Sequence, residues 1–325
     1  MRIDALIELI DHWRMKVQVP SPLLLPASPG ALSHSSNEPR ARKGADGGTW
    51  RMVLAMALSG TIGLLVVESG LPVLWVVWLR CILGGLGLAA WVLWSRQWVR
   101  PQAREWIWLL AGGLALVLNW LSLFRAYHYS GIAVSTVVYH VQPFVLLLLA
   151  AVVQREPLPL RRLPWLLLAL LGVALSSGLM AVNHGQLQWK GIALALLAAS
   201  LYAVATLATR KLARIGPAQI AMLQMLAGAL VLGPVVAGSQ EVAVFGGKAV
   251  AAVLVLGLVH TAWMYTLMYT AFQRLMAQAI AGLSFIYPAM ALVVDLAWFG
   301  VRPQPVQWLG MALILGAVWA YRRSE

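Results

Sequence analysis

From Met52 to the C-terminus, long apolar stretches alternate with short polar breaks. A helix needs about 20 predominantly apolar residues to cross a bilayer. Ten stretches meet or approach that length: 52–67, 72–94, 106–124, 131–153, 165–182, 191–209, 217–237, 249–271, 276–299 and 306–321. The first and last are short. Helices close their backbone hydrogen bonds within one segment, which the hydrocarbon core demands, so the pattern predicts an all-α polytopic membrane protein. The spans and their loops use up residues 51–325 and leave no room for an extramembrane catalytic domain.

Residues 1–50 have a different pattern. Ile3, Leu6, Ile7, Ile10, Trp13 and Val17 recur at helical spacing among charged residues, which predicts a short amphipathic helix. It reads either as a membrane-surface helix or as upstream translation, with Met15 and Met52 as alternative starts. Residues 18–50, with their Pro, Ser, Gly and scattered charge, predict a flexible tail.

The apolar pattern also repeats. At a shift of 145 residues, Leu123–Tyr127 lines up with Met268–Phe272, and Tyr139–Pro143 with Ser284–Pro288. One residue of slippage later, Leu170-Leu171-Gly172-Val173 meets Ile314-Leu315-Gly316-Ala317. Each half then holds five spans, with boundaries expected at 51–182 and 183–325. Because five is odd, the second half crosses the membrane in the opposite sense. Two inverted five-helix repeats are a common plan of secondary transporters, whose substrate site lies between the halves near the midplane.

Composition narrows the picture. Hydrophobic residues make up 61% and charged residues 11%, against about 45–50% and 25% in soluble domains. The net charge of +13 is spread thinly among apolar runs. A nucleic-acid grip needs Lys and Arg gathered on one face, so no nucleic-acid partner is expected. The charge instead reports orientation. One set of loops and the C-terminus carry Arg96, Arg100, Arg104, Arg155, Arg161, Arg162, Arg210, Lys211, Arg214, Arg274, Arg322 and Arg323, whereas the opposite loops carry only Lys190, Lys248 and Arg302. By the positive-inside rule both termini are expected to be cytoplasmic. Several tryptophans (Trp94, Trp98, Trp106, Trp108, Trp165, Trp189, Trp308) fall near span ends, as in an interfacial aromatic belt. Cys81 is the single cysteine and sits in an apolar run, so no intramolecular disulfide can form.

Polar groups inside spans are costly and need a reason. Arg80, near the middle of the second span, either attracts a substrate carboxylate or locks the bundle by binding helix carbonyls. Pro143 and Pro288 each remove a helical hydrogen bond and free a carbonyl near Tyr139 and Ser284, marking helix breaks or hinges. Tyr139 and Gln142 share a face at three-residue spacing, with His140 turned roughly 100° away. Ser284 and Tyr287 take the matching places, so Tyr139, Gln142, Ser284 and Tyr287 are expected to frame a polar, aromatic-walled cavity. Asn119 and Trp120 correspond to Met264 and Tyr265, and Trp120 and Tyr265 are candidate opposed walls. His140, His260 and Asp295 are candidate proton-coupling residues. Gly84-Gly85-Leu86-Gly87 suits close helix packing. No phosphate-cradling Walker loop, HExxH or CxxC motif occurs, so no catalytic residue, metal or cofactor is expected.

At these residues the sequence resembles the EamA family of the drug/metabolite transporter superfamily, over about residues 52–321. The likeness rests on Phe124-Arg125-Ala126-Tyr127, Gly131-Ile132-Ala133, Gln142-Pro143-Phe144, Arg155-Glu156-Pro157-Leu158 and Gly172-Val173 in the first half. It is completed by Arg80 in the second span, and by Tyr287-Pro288 and Gly310 to Gly316 in the second half. The second half departs at the acidic position, where the counterpart of Glu156 is Val301. The resemblance implies ten transmembrane helices as two inverted five-helix repeats. It also implies an inner-membrane carrier that exports small metabolites, amino-acid-like or drug-like. The alternatives are an intramembrane enzyme, which would need clustered acids, histidines or metal ligands, and a non-transporting scaffold or sensor. The expected partners are a small-molecule substrate and the lipid bilayer. Nothing in the pattern sets an oligomeric state.

Overall fold

A computed structural model of the chain describes residues 38–177, 189–299 and 304–324. The helical bundle lies within Arg40–Glu325. The amphipathic helix expected over residues 3–17 lies outside the described residues. All regular structure among the described residues is helical. The elements are α1 (Glu38–Gly60), α2 (Ile62–Ser69), α3 (Val73–Trp94), α4 (Ala103–Tyr139), α5 (Gln142–Gln154), α6 (Leu163–Ser176), α7 (Trp189–Lys211) and α8 (Pro217–Ala237). Then come α9 (Gly247–Val255), a π-helical segment (Leu256–Trp263), α10 (Met264–Arg274), α11 (Ala277–Leu283), α12 (Ile286–Phe299) and α13 (Pro305–Arg323).

Eight stretches among the described residues are long and apolar enough to span a membrane. They are Gly47–Ser69, Val73–Trp94, Ala103–Ser130, Val134–Gln154, Trp189–Lys211, Pro217–Ala237, Gly247–Arg274 and Ala277–Trp298. The other two expected spans are occupied by the shorter helices α6 and α13. The fifth was expected to reach residue 182, but α6 ends at Ser176 and residues 178–188 lie outside the described set.

The first helix departs from expectation, since α1 begins at Glu38, inside the stretch expected as a flexible tail. Pro39 sits in its first turn, where its missing N–H is not needed. The next proline is Pro72, so nothing stops the helix from running into the first span. Two starts are fixed by reciprocal side-chain caps: Gln102 N–H donates to Glu105 Oε2 at 2.6 Å before α4, and Gln304 N–H to Gln307 Oε1 at 2.8 Å before α13.

Within Arg40–Glu325 the packing follows the internal repeat. Counting the spans one to ten, α4 of span three packs on α7 of span six, and α9 of span eight packs on α2 of span one. Likewise α4 packs on α8 as the π-helical segment packs on α3, and α5 on α7 as α12 on α2. The pairs α3–α8, α5–α11 and α6–α13 are their own counterparts. The main contacts between the halves thus have their images under exchange of the halves, as a two-fold relation requires.

Glycine sets the closest crossings. A Cβ on Gly172 would lie 2.7 Å from the Gly310 carbonyl, and one on Gly310 would lie 2.6 Å from the Gly172 carbonyl, so α6 and α13 touch backbone to backbone. The internal alignment equates Gly172 with Gly316, but Gly316 meets nothing within 4 Å. The crossing falls two turns nearer the start of α13 than the alignment suggests. Gly84 lets α3 approach Thr261, and Gly257 lets the π-helical segment approach Leu83, where a Cβ would be only 2.5 Å away. Cys81 is fully buried, with its sulfur against Gly228 of α8.

Candidate functional site

The π-helical segment positions the centre of the bundle. Its wider turn directs side chains back to carbonyls five residues earlier. Thr261 Oγ1 donates to Leu256 O at 2.7 Å, and His260 Nδ1 lies 3.4 Å from Val255 O. Such segments are rare and frequent at functional sites. Because Gly84 has no side chain, Thr261 sits against α3, one turn along from Arg80. The guanidinium Nε of Arg80 donates to Thr261 Oγ1 at 3.2 Å. Arg80 is only 3% exposed, and its guanidinium carbon lies 5.1 Å from the centre of the Trp120 ring. A cation over an aromatic face gains electrostatically, most where water is excluded. No carboxylate among the described residues pairs with Arg80.

Trp120 continues the chain of contacts. Expected as one of two opposed walls with Tyr265, it meets that ring edge to face at 6.1 Å. Tyr265 meets Tyr269 at 5.5 Å, and the Tyr269 hydroxyl donates to Gln224 Oε1. Asn119 is fully buried and donates to Ala198 O at 2.7 Å and Tyr139 Oη at 3.3 Å. Tyr139 packs edge to face on Tyr202, whose hydroxyl reaches the Met268 sulfur at 3.4 Å. The Oδ1 of Asn119 and the Nε2 atoms of Gln142 and Gln224 are buried without a hydrogen-bond partner among the described residues.

Pro143 follows a short turn. Helix α4 ends at Tyr139 and α5 begins at Gln142, so His140 and Val141 form a turn. The backbone stays close to helical through it, with φ −73° and ψ 6° at His140 and φ −71° and ψ −15° at Val141. The turn directs His140 onto the second half, where its ring stacks on Tyr287 at 5.7 Å with planes 9° apart. Its Nδ1 lies 2.7 Å from Thr136 O. A second turn, Ser284–Phe285, separates α11 from α12 just before Pro288. Ser284 donates its hydroxyl to Ala281 O at 2.8 Å, so that proton is committed to its own helix. His260 Nε2 lies 2.7 Å from Thr61 Oγ1, at the break between α1 and α2. Asp295 is on α12, and its side chain lies outside the described residues.

A model of the EamA-like transporter family matches residues 49–178 and again 189–322. The chain belongs to the EamA-like transporter family. The uncharacterized transporter YxxF of Bacillus subtilis (strain 168) is 30% identical over 271 residues, covering 82% of this chain and 87% of that protein. A crystal structure of another protein, 20% identical, superposes with a TM-score of 0.75 over 85% of this chain and 98% of its own, a likeness of fold. The protein is therefore a multi-pass membrane transporter of the EamA type.

In this EamA-type chain, four residues of the central chain were not singled out from the sequence: Thr261, Tyr202, Tyr269 and Gln224. The cost of an amide inside a span is the signal that could have found Gln224. The acidic residue of the resemblance, Glu156, lies at one end of the bundle and not in its centre. It forms an ion pair with Arg210, and its Oε2 accepts the Ala277 N–H at 2.9 Å. Arg210 also donates to Gln154 Oε1 and to Leu275 O. This latch ties the end of span four to span six and to the connector between spans eight and nine. At the opposite end, Trp298 Nε1 donates to Glu68 Oε1 at 3.2 Å. Among the described residues no three His, Cys, Asp or Glu side chains cluster as metal ligands.

Proposed function

We propose that this transporter is a secondary carrier of the inner (plasma) membrane, exporting a small amino-acid-like or drug-like metabolite by alternating access. The two repeats, 51–182 and 183–325, rock about the central residues, with both termini cytoplasmic. The protein moves its substrate without covalent chemistry. One observation carries the reading: six contacts of the central polar and aromatic residues pair one repeat with the other. Arg80 meets Thr261, Trp120 meets Tyr265, Asn119 meets Ala198, Tyr139 meets Tyr202, His140 meets Tyr287, and Thr61 meets His260. A substrate that enters between the halves must exchange places with these contacts.

The chemistry of the group sets the substrate. Arg80 offers a planar fork of donors suited to a carboxylate. Trp120, Tyr139, Tyr265 and Tyr287 offer apolar faces with polar tips, and Asn119, Gln142 and Ser284 add hydrogen-bonding capacity. In this reading Pro143 and Pro288 are the hinges. His260 faces an oxygen from each ring nitrogen, so both N–H groups of an imidazolium would find acceptors, a geometry suited to carrying a proton; His140 and Asp295 are the other candidates for coupling.

The test is the flux of a labelled metabolite panel in oriented vesicles, with and without a protonophore. The expected result is saturable movement of a carboxylate-bearing compound toward the side opposite the arginine-rich loops. Absence of flux for every compound, with correctly inserted protein, would remove the carrier reading.

A further inference from the structure

A second apolar cluster lies apart from the main core of the bundle. Leu71 and Val76 of the first repeat pack there with Ala249, Val253 and Leu256 of the second, and Ile62 lies against them. Span one ends at Ser69 and span eight begins at Gly247, so the cluster seals the end opposite the arginine-rich loops. His260 sits at the inner edge of this seal and is 3% exposed. The two oxygens that its ring nitrogens face belong to Thr61 and Val255, the residues immediately before Ile62 and Leu256.

Geometry sets the number of protons on the ring. Thr61 Oγ1 donates its own hydrogen to Leu58 O at 2.8 Å, so toward His260 it can only accept. Nε2 therefore carries a hydrogen, and in the neutral ring Nδ1 turns a bare lone pair toward the Val255 carbonyl. A second proton, on Nδ1, replaces that repulsion by a charge-assisted hydrogen bond and strengthens the bond to Thr61. Thr61 is the single residue between α1 and α2, so charge on the ring ties the helix break of the first repeat to the π-helical segment of the second.

One charge works against it. Arg80 of α3 reaches the segment through Thr261, next to His260, and two cations repel. On the other helices packed against the segment, α8 has no titratable side chain and Lys248 stands at the start of α9. Tyr265 and Tyr269 of α10 turn to Trp120 and Gln224, and Arg274 ends that helix. Cys81 of α3 turns to Gly228, and Glu68 at the end of α2 takes the Trp298 N–H. The proton is thus held by its two acceptors against Arg80, and losing either acceptor releases it.

We propose that His260 holds the coupling proton of the carrier: taken up from water onto Nδ1, it draws Thr61 and Val255 together and shuts the apolar seal. The proton returns to water when Thr61 moves off and the seal parts. What the proton is coupled to rests on the carrier reading. The measurement below uses no substrate, so a flux panel without a transported compound and a flat response to pH are separate failures.

The test is pulsed electron paramagnetic resonance on the full-length protein in lipid nanodiscs, with spin labels at Val67→Cys and Val250→Cys in a Cys81→Ser background. Both labelled positions are exposed, one on α2 and one on α9. The ratio of short to long label distances is expected to rise about tenfold from about pH 8 to about pH 5. His260→Gln should abolish that response, whereas His128→Gln, at an exposed histidine, should keep it. Thr61→Val keeps the shape and removes one acceptor, so it should weaken the response even if His260→Gln folds poorly. Nitrogen-15 spectra of histidine-labelled protein should show His260 with a hydrogen on Nε2 alone at high pH and on both nitrogens at low pH. A flat response in the wild type, an unchanged response in His260→Gln or Thr61→Val, or a neutral ring with its hydrogen on Nδ1 would each overturn the proposal.

Discussion

Arg80 is the costliest side chain in the bundle, a guanidinium placed near the middle of a span with no acidic neighbour among the described residues. Insertion scales put such a residue at about 2.5–3.5 kcal/mol. Its compensation is one hydrogen bond to Thr261 and the face of Trp120. If the missing counter-charge is the substrate's carboxylate, Arg80→Gln should lower kcat/KM for that substrate at least tenfold, with the folded yield kept near wild type. Arg80→Lys should fail to restore it, because an ammonium lacks the planar fork and stacks poorly. Flux assays paired with size-exclusion profiles of the same preparations check both variants; wild-type flux in Arg80→Gln would sink the role. At this scale the sequence was only partly legible. Arg80, Trp120 and Tyr265 could be singled out because charge and aromatic rings inside apolar runs stand out. Thr261 could not, since a threonine is ordinary in a span and its role depends on the π-helical turn beside Gly84. The stacking of His140 on Tyr287 could not be read either, since it depends on how the two halves pack.

Between elements, the decisive contacts are those where no side chain fits. On α6 and α13 the reciprocal approach of Gly172 and Gly310 leaves no space for a methyl group, and the obstacles are backbone atoms that cannot rotate away. Gly172→Val should therefore push the two helices apart and lower the apparent Tm by several degrees, a cost of about 1–3 kcal/mol for overpacking. Gly316→Ala, on the same helix with open space around it, should leave Tm unchanged or slightly raised by the better helix propensity of alanine. Thermal unfolding in detergent compares the two directly. The helices themselves were legible because a bilayer forces every backbone group into intrahelical bonds, which writes span length into hydropathy. The crossing points were not, because Gly172, Gly310 and Gly316 look alike in sequence, and only packing decides which of them meet.

In the whole molecule the main contacts between the two repeats come in matched pairs, and a latch joins Glu156 to Arg210 and Ala277. The repeat was legible as a shift of 145 residues. What that shift could not reveal is that one of its acidic mismatches, Glu156 against Val301, is where the first half clasps the second. Glu156→Gln removes the charge from a partly buried pair that also caps a backbone N–H. Hydrogen bonds to charged groups contribute about 1.5–3 kcal/mol, so the conformation closed at the arginine-rich end should lose population roughly tenfold or more. Thiol labelling at Gln278→Cys, in a Cys81→Ser background that removes the native buried thiol, should accelerate by that factor. An unchanged labelling rate would show that the pair holds nothing shut.

The asymmetry of the latch has a consequence for energetics. Two identical inverted repeats would make the inward-facing and outward-facing forms two-fold images of equal energy, and an empty carrier would rest equally in either. A charged clasp at one end and a single indole-to-carboxylate bond at the other, Trp298 to Glu68, lift that degeneracy. In the alternating-access reading proposed above, the empty carrier then rests with one side favoured, and differential binding of its cargo to the two forms rebalances it. Which of two related positions kept its carboxylate would thus set the resting state and the apparent affinity on each side, while gradients set the direction of net flux.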